Sequence, residues 1–185
     1  KAPDPCCFVI FGVTGDLAHR LVIPALYNLA ESGLLPEKFC VVGITRTEMQ
    51  SKTLHDDLLK SLNQFATRPI DPQIAKKLFD CVTSIHSDPD DPGSFDALKA
   101  HLEKIGNDSG IKNHLFYLAV PPTAFKPISE ALSREGLLTE QDGAWRRLVV
   151  EKPFGTDLKS AKDLNHDLLK LVDEQLLTGL GDAPR

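Results

Sequence analysis

Five short segments of this chain are apolar nearly end to end, and each is followed by residues at helical spacing. The runs are Cys-Cys-Phe-Val-Ile-Phe-Gly (6–12), Phe-Cys-Val-Val-Gly-Ile (39–44), Cys-Val-Thr-Ser-Ile-His (81–86), His-Leu-Phe-Tyr-Leu-Ala-Val (114–120) and Arg-Leu-Val-Val-Glu (147–151). A strand with one wet face alternates apolar and polar residues. A continuous run buries both faces, as in a parallel sheet covered by helices on each side.

The segments between the runs supply those helices. Residues 16–33 read as helical, with Pro24 either kinking the helix or starting its second part. Leu54, Leu58, Leu59, Leu62 and Phe65 share one face of a helix over 48–66, and Phe95, Leu98, Leu102 and Ile105 share one face of the next. Residues 123–136 form another, with Thr123 as N-cap and Gly136 as the stop. Leu158, Ala161, Leu164, Leu168 and Leu171 mark a last helix that Asp157 is placed to cap. Strand–helix alternation of this kind predicts an α/β fold, a doubly wound parallel sheet with helices on both faces and right-handed crossovers.

Composition narrows the function classes. The 185 residues are 42% hydrophobic and 25% charged, enough for a substantial core. No run of 18 apolar residues is present, so no membrane span is expected, and Lys-Ala-Pro-Asp-Pro-Cys-Cys at the start lacks the pattern of a secretory signal. Net charge is −5 with no Lys/Arg block, which argues against a nucleic-acid surface. The cysteines at 6, 7, 40 and 81 lie in apolar segments, the pattern of buried thiols in a reducing, cytoplasmic setting rather than of a disulfide frame or zinc pair. The six histidines are scattered without metal-ligand spacing, so no metal is expected.

The chemistry concentrates where the first run ends, in Gly-Val-Thr-Gly-Asp-Leu-Ala (12–18). Ligands of doubly wound sheets bind beyond the carboxyl ends of the strands, where strand order changes direction. Gly12 can take the positive φ of a turn, Gly15 lets a pyrophosphate approach the backbone, and Ala18 lets the helix pack closely on the sheet. The free N–H groups and dipole at the helix start favour an anion. Asp16 would repel a phosphate unless its carboxylate caps the helix, which is the role assigned to it. The spacing is G-x-x-G-x-x-A and no Gly-Lys-Ser/Thr follows, so this is not a P-loop. A bend that holds no ligand is the alternative; its place after the first strand favours the nucleotide.

The second run leads into Thr45, Arg46 and Thr47, with no acid before Glu48. An NAD site carries an acid there for the ribose 2′-hydroxyl, whereas NADP needs a cation for its 2′-phosphate. Arg46, supported by Thr14, is therefore read as selecting NADP.

Three stretches in order resemble the glucose-6-phosphate dehydrogenase family: Gly-Val-Thr-Gly-Asp-Leu-Ala with its downstream Pro-Ala-Leu-Tyr (24–27), His-Leu-Phe-Tyr-Leu-Ala-Val-Pro-Pro-Thr-Ala-Phe (114–125), and Glu-Lys-Pro-Phe-Gly (151–155). The resemblance covers residues 6 to about 174 and implies a Rossmann-like NADP-binding domain over 1–174, with 175–185 as a tail where the substrate domain would begin. It implies that Gly12, Thr14, Gly15 and Leu17, with Val13 and Asp16 between them, line the pyrophosphate turn. It further implies Arg46 on the 2′-phosphate, Asp88 and Pro89 beside the adenine, and Ala119, Val120 and Pro121 along the nicotinamide half. Lys152 would face both nicotinamide and the substrate, glucose 6-phosphate, with Pro153 at a hinge.

Two departures stand out. The lysine that the family carries shortly after Gly-Asp-Leu-Ala is missing; His19 and Leu21 flank Arg20, the nearby cation. After Val-Asp-Glu-Gln (172–175) the family's substrate motif is replaced by Leu-Leu-Thr-Gly-Leu-Gly-Asp-Ala-Pro-Arg. The family's catalytic histidine and its acidic partner belong to the second domain, so no catalytic residue is assigned here. The chain is expected to bind NADP as a monomer, to turn over little alone, and to form a homo-oligomer only in the full-length enzyme. A non-catalytic NADP sensor is the rival, against which Glu-Lys-Pro-Phe-Gly speaks. A short-chain reductase or nucleotide-sugar epimerase needs Tyr-x-x-x-Lys, but Tyr27 and Tyr117 are followed four positions on by Glu31 and Pro121.

Overall fold

The computed structural model describes residues 3–151 and 177–180. Its sheet is built around β1 (Cys6–Phe11), in which every residue is buried, as the continuous apolar run requires. On one side lie β2 (Phe39–Thr45) and β3 (Val82–His86); on the other lie β4 (Asn113–Leu118), β5 (Arg146–Glu151) and β6 (Leu177–Leu180). The order is β3-β2-β1-β4-β5-β6, and every neighbouring pair is parallel. Cys7 pairs with Cys40 and His114, and Phe11 with Ile44 and Leu118. The direction of winding reverses between β1 and β4, so the crevice that such a reversal leaves lies at their carboxyl ends.

Alternation along the strands divides the core. Cys7, Val9 and Phe11 meet α4 (Pro92–Ser109) and α5 (Phe125–Arg134) through Phe95, Leu98, Leu102, Phe125 and Leu132. Phe8 and Ile10 meet α1 (Ile23–Glu31), α2 (Ser51–Phe65) and α3 (Pro72–Asp80) through Ile23, Leu26, Leu54, Leu58 and Leu78. Both faces are thus covered, as expected. The five-residue turn Ala18–Val22 ahead of α1 is π-helical, and Pro24 is the second residue of α1, directly after that turn. Pro24 thus stands at the start of the α-helical second part.

Three local features differ from the sequence reading. Helix α3 was not expected, although Asp71 caps it with hydrogen bonds from the Gln73 and Ile74 amides, and Pro72 stands at its first position. Thr123 does not cap α5; it lies in a 3₁₀ turn (Pro122–Ala124) that leads into the helix. Residues 177–180, assigned to a tail, pair with β5, so the sheet has six strands rather than five. The helix expected over 158–171 and its cap Asp157 lie outside the described residues. No helix among the described residues is long and apolar enough to cross a membrane.

At the amino edge of the sheet, His114 is 6% exposed, edge-on to Phe116, and its Nδ1 has no hydrogen-bond partner. Burial, with the Arg146 charge second, lowers its pKa from 6.5 to about 3. The folded imidazole stays neutral where the unfolded one is protonated, so unfolding takes up a proton between these two values. Stability is unaffected above pH 6.5 and falls as pH drops through that window. Urea unfolding of the protein and of His114→Phe, from pH 7 to 4, should show the variant gaining relative stability at about 1 kcal/mol per pH unit below pH 6. A stability difference independent of pH would refute the buried neutral imidazole.

Candidate functional site

The site begins where β1 stops. Gly12 has φ +77°, and a Cβ placed on it would lie 2.3 Å from the Ala119 carbonyl oxygen and 2.9 Å from Val120 Cγ1. Only a residue without a side chain permits that approach. The Ala119 N–H in turn donates to the Phe11 carbonyl at 3.0 Å, which holds the ends of β1 and β4 together. The Gly15 N–H donates to the Gly12 carbonyl at 2.9 Å and closes the turn; the His19 N–H donates to the Gly15 carbonyl at 3.1 Å and opens the helix. The amides of Asp16, Leu17 and Ala18 therefore stand at the helix start ahead of the first intrahelical bond.

Asp16 does not cap them. Its carboxylate accepts from Arg20 Nε at 2.6 Å one turn on, and the Arg20 guanidinium also lies 5.0 Å from the centre of the Phe65 ring. The reason is positional: Asp16 is already in the helix, one residue too late for a side-chain cap. The cation nearest the turn is thus committed to a carboxylate and a ring. His19 shares a 2.5 Å hydrogen bond with Ser61 of α2, while Leu21 is 57% exposed. Val13 is fully buried against Gly43, so its backbone alone borders the turn; Thr14 is exposed, and Gly15 and Leu17 are half-buried.

One strand over, the end of β2 separates its three polar residues. Thr45 is buried, and its hydroxyl donates to the Thr47 carbonyl at 2.7 Å and lies 3.4 Å from that of Ile85. Arg46 and Thr47 are exposed, and Arg46 has no ion pair with any described residue. Alternation along the strand turns Thr45 inward and Arg46 out.

Asp88 and Pro89, half-buried, follow β3. The Asp88 N–H donates to Ser94 Oγ at 2.8 Å, and its carboxylate accepts from the Asp90 N–H at 3.0 Å. At the end of β4, Ala119 is buried, Val120 half-buried and Pro121 exposed. The structure therefore gathers the Gly12–Leu17 turn, Arg46, Asp88, Pro89 and the Ala119–Pro121 corner along one edge, the carboxyl ends of β1 to β4. Lys152 and Pro153 lie outside the described residues.

The sequence reading missed a cavity of about 650 Å³ on the same edge, lined by Met49, Gln50, Ser84, His86, Asp91 and Ser94. His86 contacts the Thr45 carbonyl through Nδ1 at 3.2 Å, which ties this cavity to the end of β2. A partial signal existed, since Asp91-Pro92 is a helix-start pair; Asp91 does cap α4, accepting from the Gly93 N–H at 3.1 Å.

Residues 9–177 match the family model described as glucose-6-phosphate dehydrogenase, NAD binding domain. The chain belongs to the glucose-6-phosphate dehydrogenase family. Within that family it is 40% identical over 176 residues to glucose-6-phosphate 1-dehydrogenase 2 of Mycobacterium tuberculosis, covering 95% of this chain and 34% of the relative. It is 36% identical to the Bacillus subtilis glucose-6-phosphate 1-dehydrogenase over 170 residues, covering 90% of this chain and 33% of that protein. The solved glucose-6-phosphate 1-dehydrogenase from Mycobacterium avium superposes with a TM-score of 0.80 at 30% identity, over 96% of this chain and 36% of the other. A glucose-6-phosphate dehydrogenase in complex with its substrate glucose-6-phosphate superposes with a TM-score of 0.84 at 26% identity, over 98% and 37%. The chain thus spans about a third of the length of these relatives, and what it contributes to the family is the dinucleotide-binding domain.

The close approach at Gly12 has a measurable cost. Gly12→Ala should lose several kcal/mol, because strain at positive φ adds to the overlap with Ala119. Gly33→Ala, at φ +65° with nothing within 4 Å, should lose only about 1 kcal/mol. Denaturant melts of the two variants check this, and equal losses would show that the ends of β1 and β4 are not in contact.

Proposed function

We propose that the chain is the NADP-binding portion of a glucose-6-phosphate dehydrogenase. Family membership across residues 9–177 carries this reading, and the geometry of the carboxyl edge supports it. Three helix-start amides with no side-chain cap fit a pyrophosphate. Gly12 and Gly15 keep side chains out of its way, with Val13, Thr14, Asp16 and Leu17 contributing backbone around it. The Asp16–Arg20 pair leaves no uncompensated carboxylate beside the phosphates.

The choice of NADP over NAD rests on Arg46. It is the exposed cation at the end of β2, while Thr45 spends its hydroxyl on backbone carbonyls. An Arg fork suits a phosphate dianion, and no acid stands there to hold a free 2′-hydroxyl. In the same reading Asp88 and Pro89 border the adenine, Ala119 to Pro121 the nicotinamide half, and Lys152 the nicotinamide and the sugar phosphate.

Bound NADP⁺ supplies the hydride acceptor, so that in the whole protein glucose 6-phosphate would be oxidised at C1 to 6-phosphogluconolactone. This chain's part is to bind and orient. The base that takes the C1 hydroxyl proton belongs to a domain beyond the portion matched here, and general-base help of this kind is worth about 10²–10⁴-fold. The 185-residue chain alone is accordingly a monomeric coenzyme-binding unit with little turnover.

Calorimetric titration with NADP⁺ and with NAD⁺ tests the reading. NADP⁺ should bind more tightly than NAD⁺, and Arg46→Ala should weaken NADP⁺ by roughly ten- to a hundredfold while leaving NAD⁺ unchanged. Equal weakening of both coenzymes would remove Arg46 from the 2′-phosphate.

A further inference from the structure

Four cysteines converge at the amino edge of the sheet, the end away from the coenzyme turn, and nothing in the proposed function uses them. Cys7 of β1 and Cys40 of β2 are register partners on parallel neighbouring strands. Both belong to the face packed against α4 and α5. Neighbouring strands run about 4.8 Å apart, within the range of about 4.4–6.8 Å between Cα atoms that a disulfide spans. The two thiols are close enough to act on one another's ionisation. We propose that this pair is a peroxide-sensitive modification site, in which a hydroperoxide oxidises Cys40 and Cys7 then closes a disulfide on it.

The roles follow from the surroundings. Cys40 is half-buried and within reach of a small oxidant, whereas Cys7 is fully buried. Interaction with the Cys7 thiol lowers the Cys40 pKa below 9.0 against the effect of burial, whereas the same interaction and burial raise that of Cys7. The other two thiols are disposed differently. Cys6 alternates to the opposite face of β1, and Cys81 donates its S–H to the Leu78 carbonyl at 2.8 Å. Burial pushes both up to about 11. No group of three or more His, Cys, Asp or Glu among the described residues is arranged to hold a metal ion.

The chemistry balances. The Cys40 thiolate attacks one oxygen of hydrogen peroxide; an S–O bond forms, the O–O bond breaks, and the departing hydroxide takes up the thiol's proton as water. The Cys7 sulfur then attacks the Cys40 sulfenic sulfur, and the expelled hydroxide leaves as a second water with the Cys7 proton. Two thiols and one peroxide give one disulfide and two waters.

The test is a titration of the reduced 185-residue chain with hydrogen peroxide, followed by mass spectrometry of non-reduced tryptic peptides. Trypsin leaves Cys6 and Cys7 on one peptide, so fragment ions must assign the sulfur. The expected product is a single Cys7–Cys40 link that costs the protein two hydrogens, with Cys40 lost to iodoacetamide labelling at least tenfold faster than Cys81. In Cys7→Ser, or Cys7→Ala if the serine does not fold, Cys40 should instead accumulate as a sulfenic acid that dimedone traps. A link through Cys6 or Cys81, or Cys40 passing to the sulfinic acid in the wild-type chain while Cys7 stays reduced, would overturn the proposal.

Discussion

The carbonyl oxygen of Ala119 lies where a side chain on residue 12 would have to go. Because Gly12 has none, the ends of β1 and β4 meet at the point where strand order reverses, and the backbone can turn at positive φ into the helix start. That contact has consequences on both sides. Val13 is sent down onto Gly43, where an added side chain would crowd Leu54 and Val13. Ala18, fully buried, then seats the first helix against the sheet. Three small residues at 12, 18 and 43 thus bring the ends of three strands and a helix close together around the uncapped amides.

The two edges of the sheet carry different groups. The carboxyl edge presents helix-start amides and an exposed arginine, both of which favour an anion. The amino edge carries Cys6, Cys7 and His114, all buried and held in their neutral forms. Burial raises the Cys6 thiol and lowers the His114 imidazole, whereas at Cys40 the interaction with Cys7 outweighs burial and lowers the pKa. The glycine turn and the thiols are therefore separated by the length of the strands.

Most of the fold was legible because buried parallel strands leave an unmistakable trace: Cys6–Phe11 and Phe39–Thr45 are apolar in sequence and covered on both faces in space. What escaped was local. Helix α3 is short, and its Asp71-Pro72 start signal is weaker than the apolar patterns on either side of it. Residues 177–180 carry little strand character of their own and gain it by pairing with β5. The carboxylate of Asp16 was misassigned because a one-residue shift at the helix start decides between a cap and an i,i+4 ion pair. For the site, glycine spacing and the lack of an acid before Glu48 were readable as chemistry, whereas the engagement of Arg20 with Asp16 and Phe65 was not.

The sequence by itself determined the class of fold, the position of the glycine turn and the family, because these depend on residue type and order along the chain. Strand order, the meeting of Gly12 with Ala119, the inward hydroxyl of Thr45 and the pairing of Cys7 with Cys40 were decided only in the tertiary structure. The reason is physical: the strand order, the Gly12–Ala119 contact and the Cys7–Cys40 pairing join residues tens of positions apart, and no local propensity specifies which strands become neighbours or in what register. Burial on both faces requires that each strand have partners; the packing of the helices across the sheet selects them.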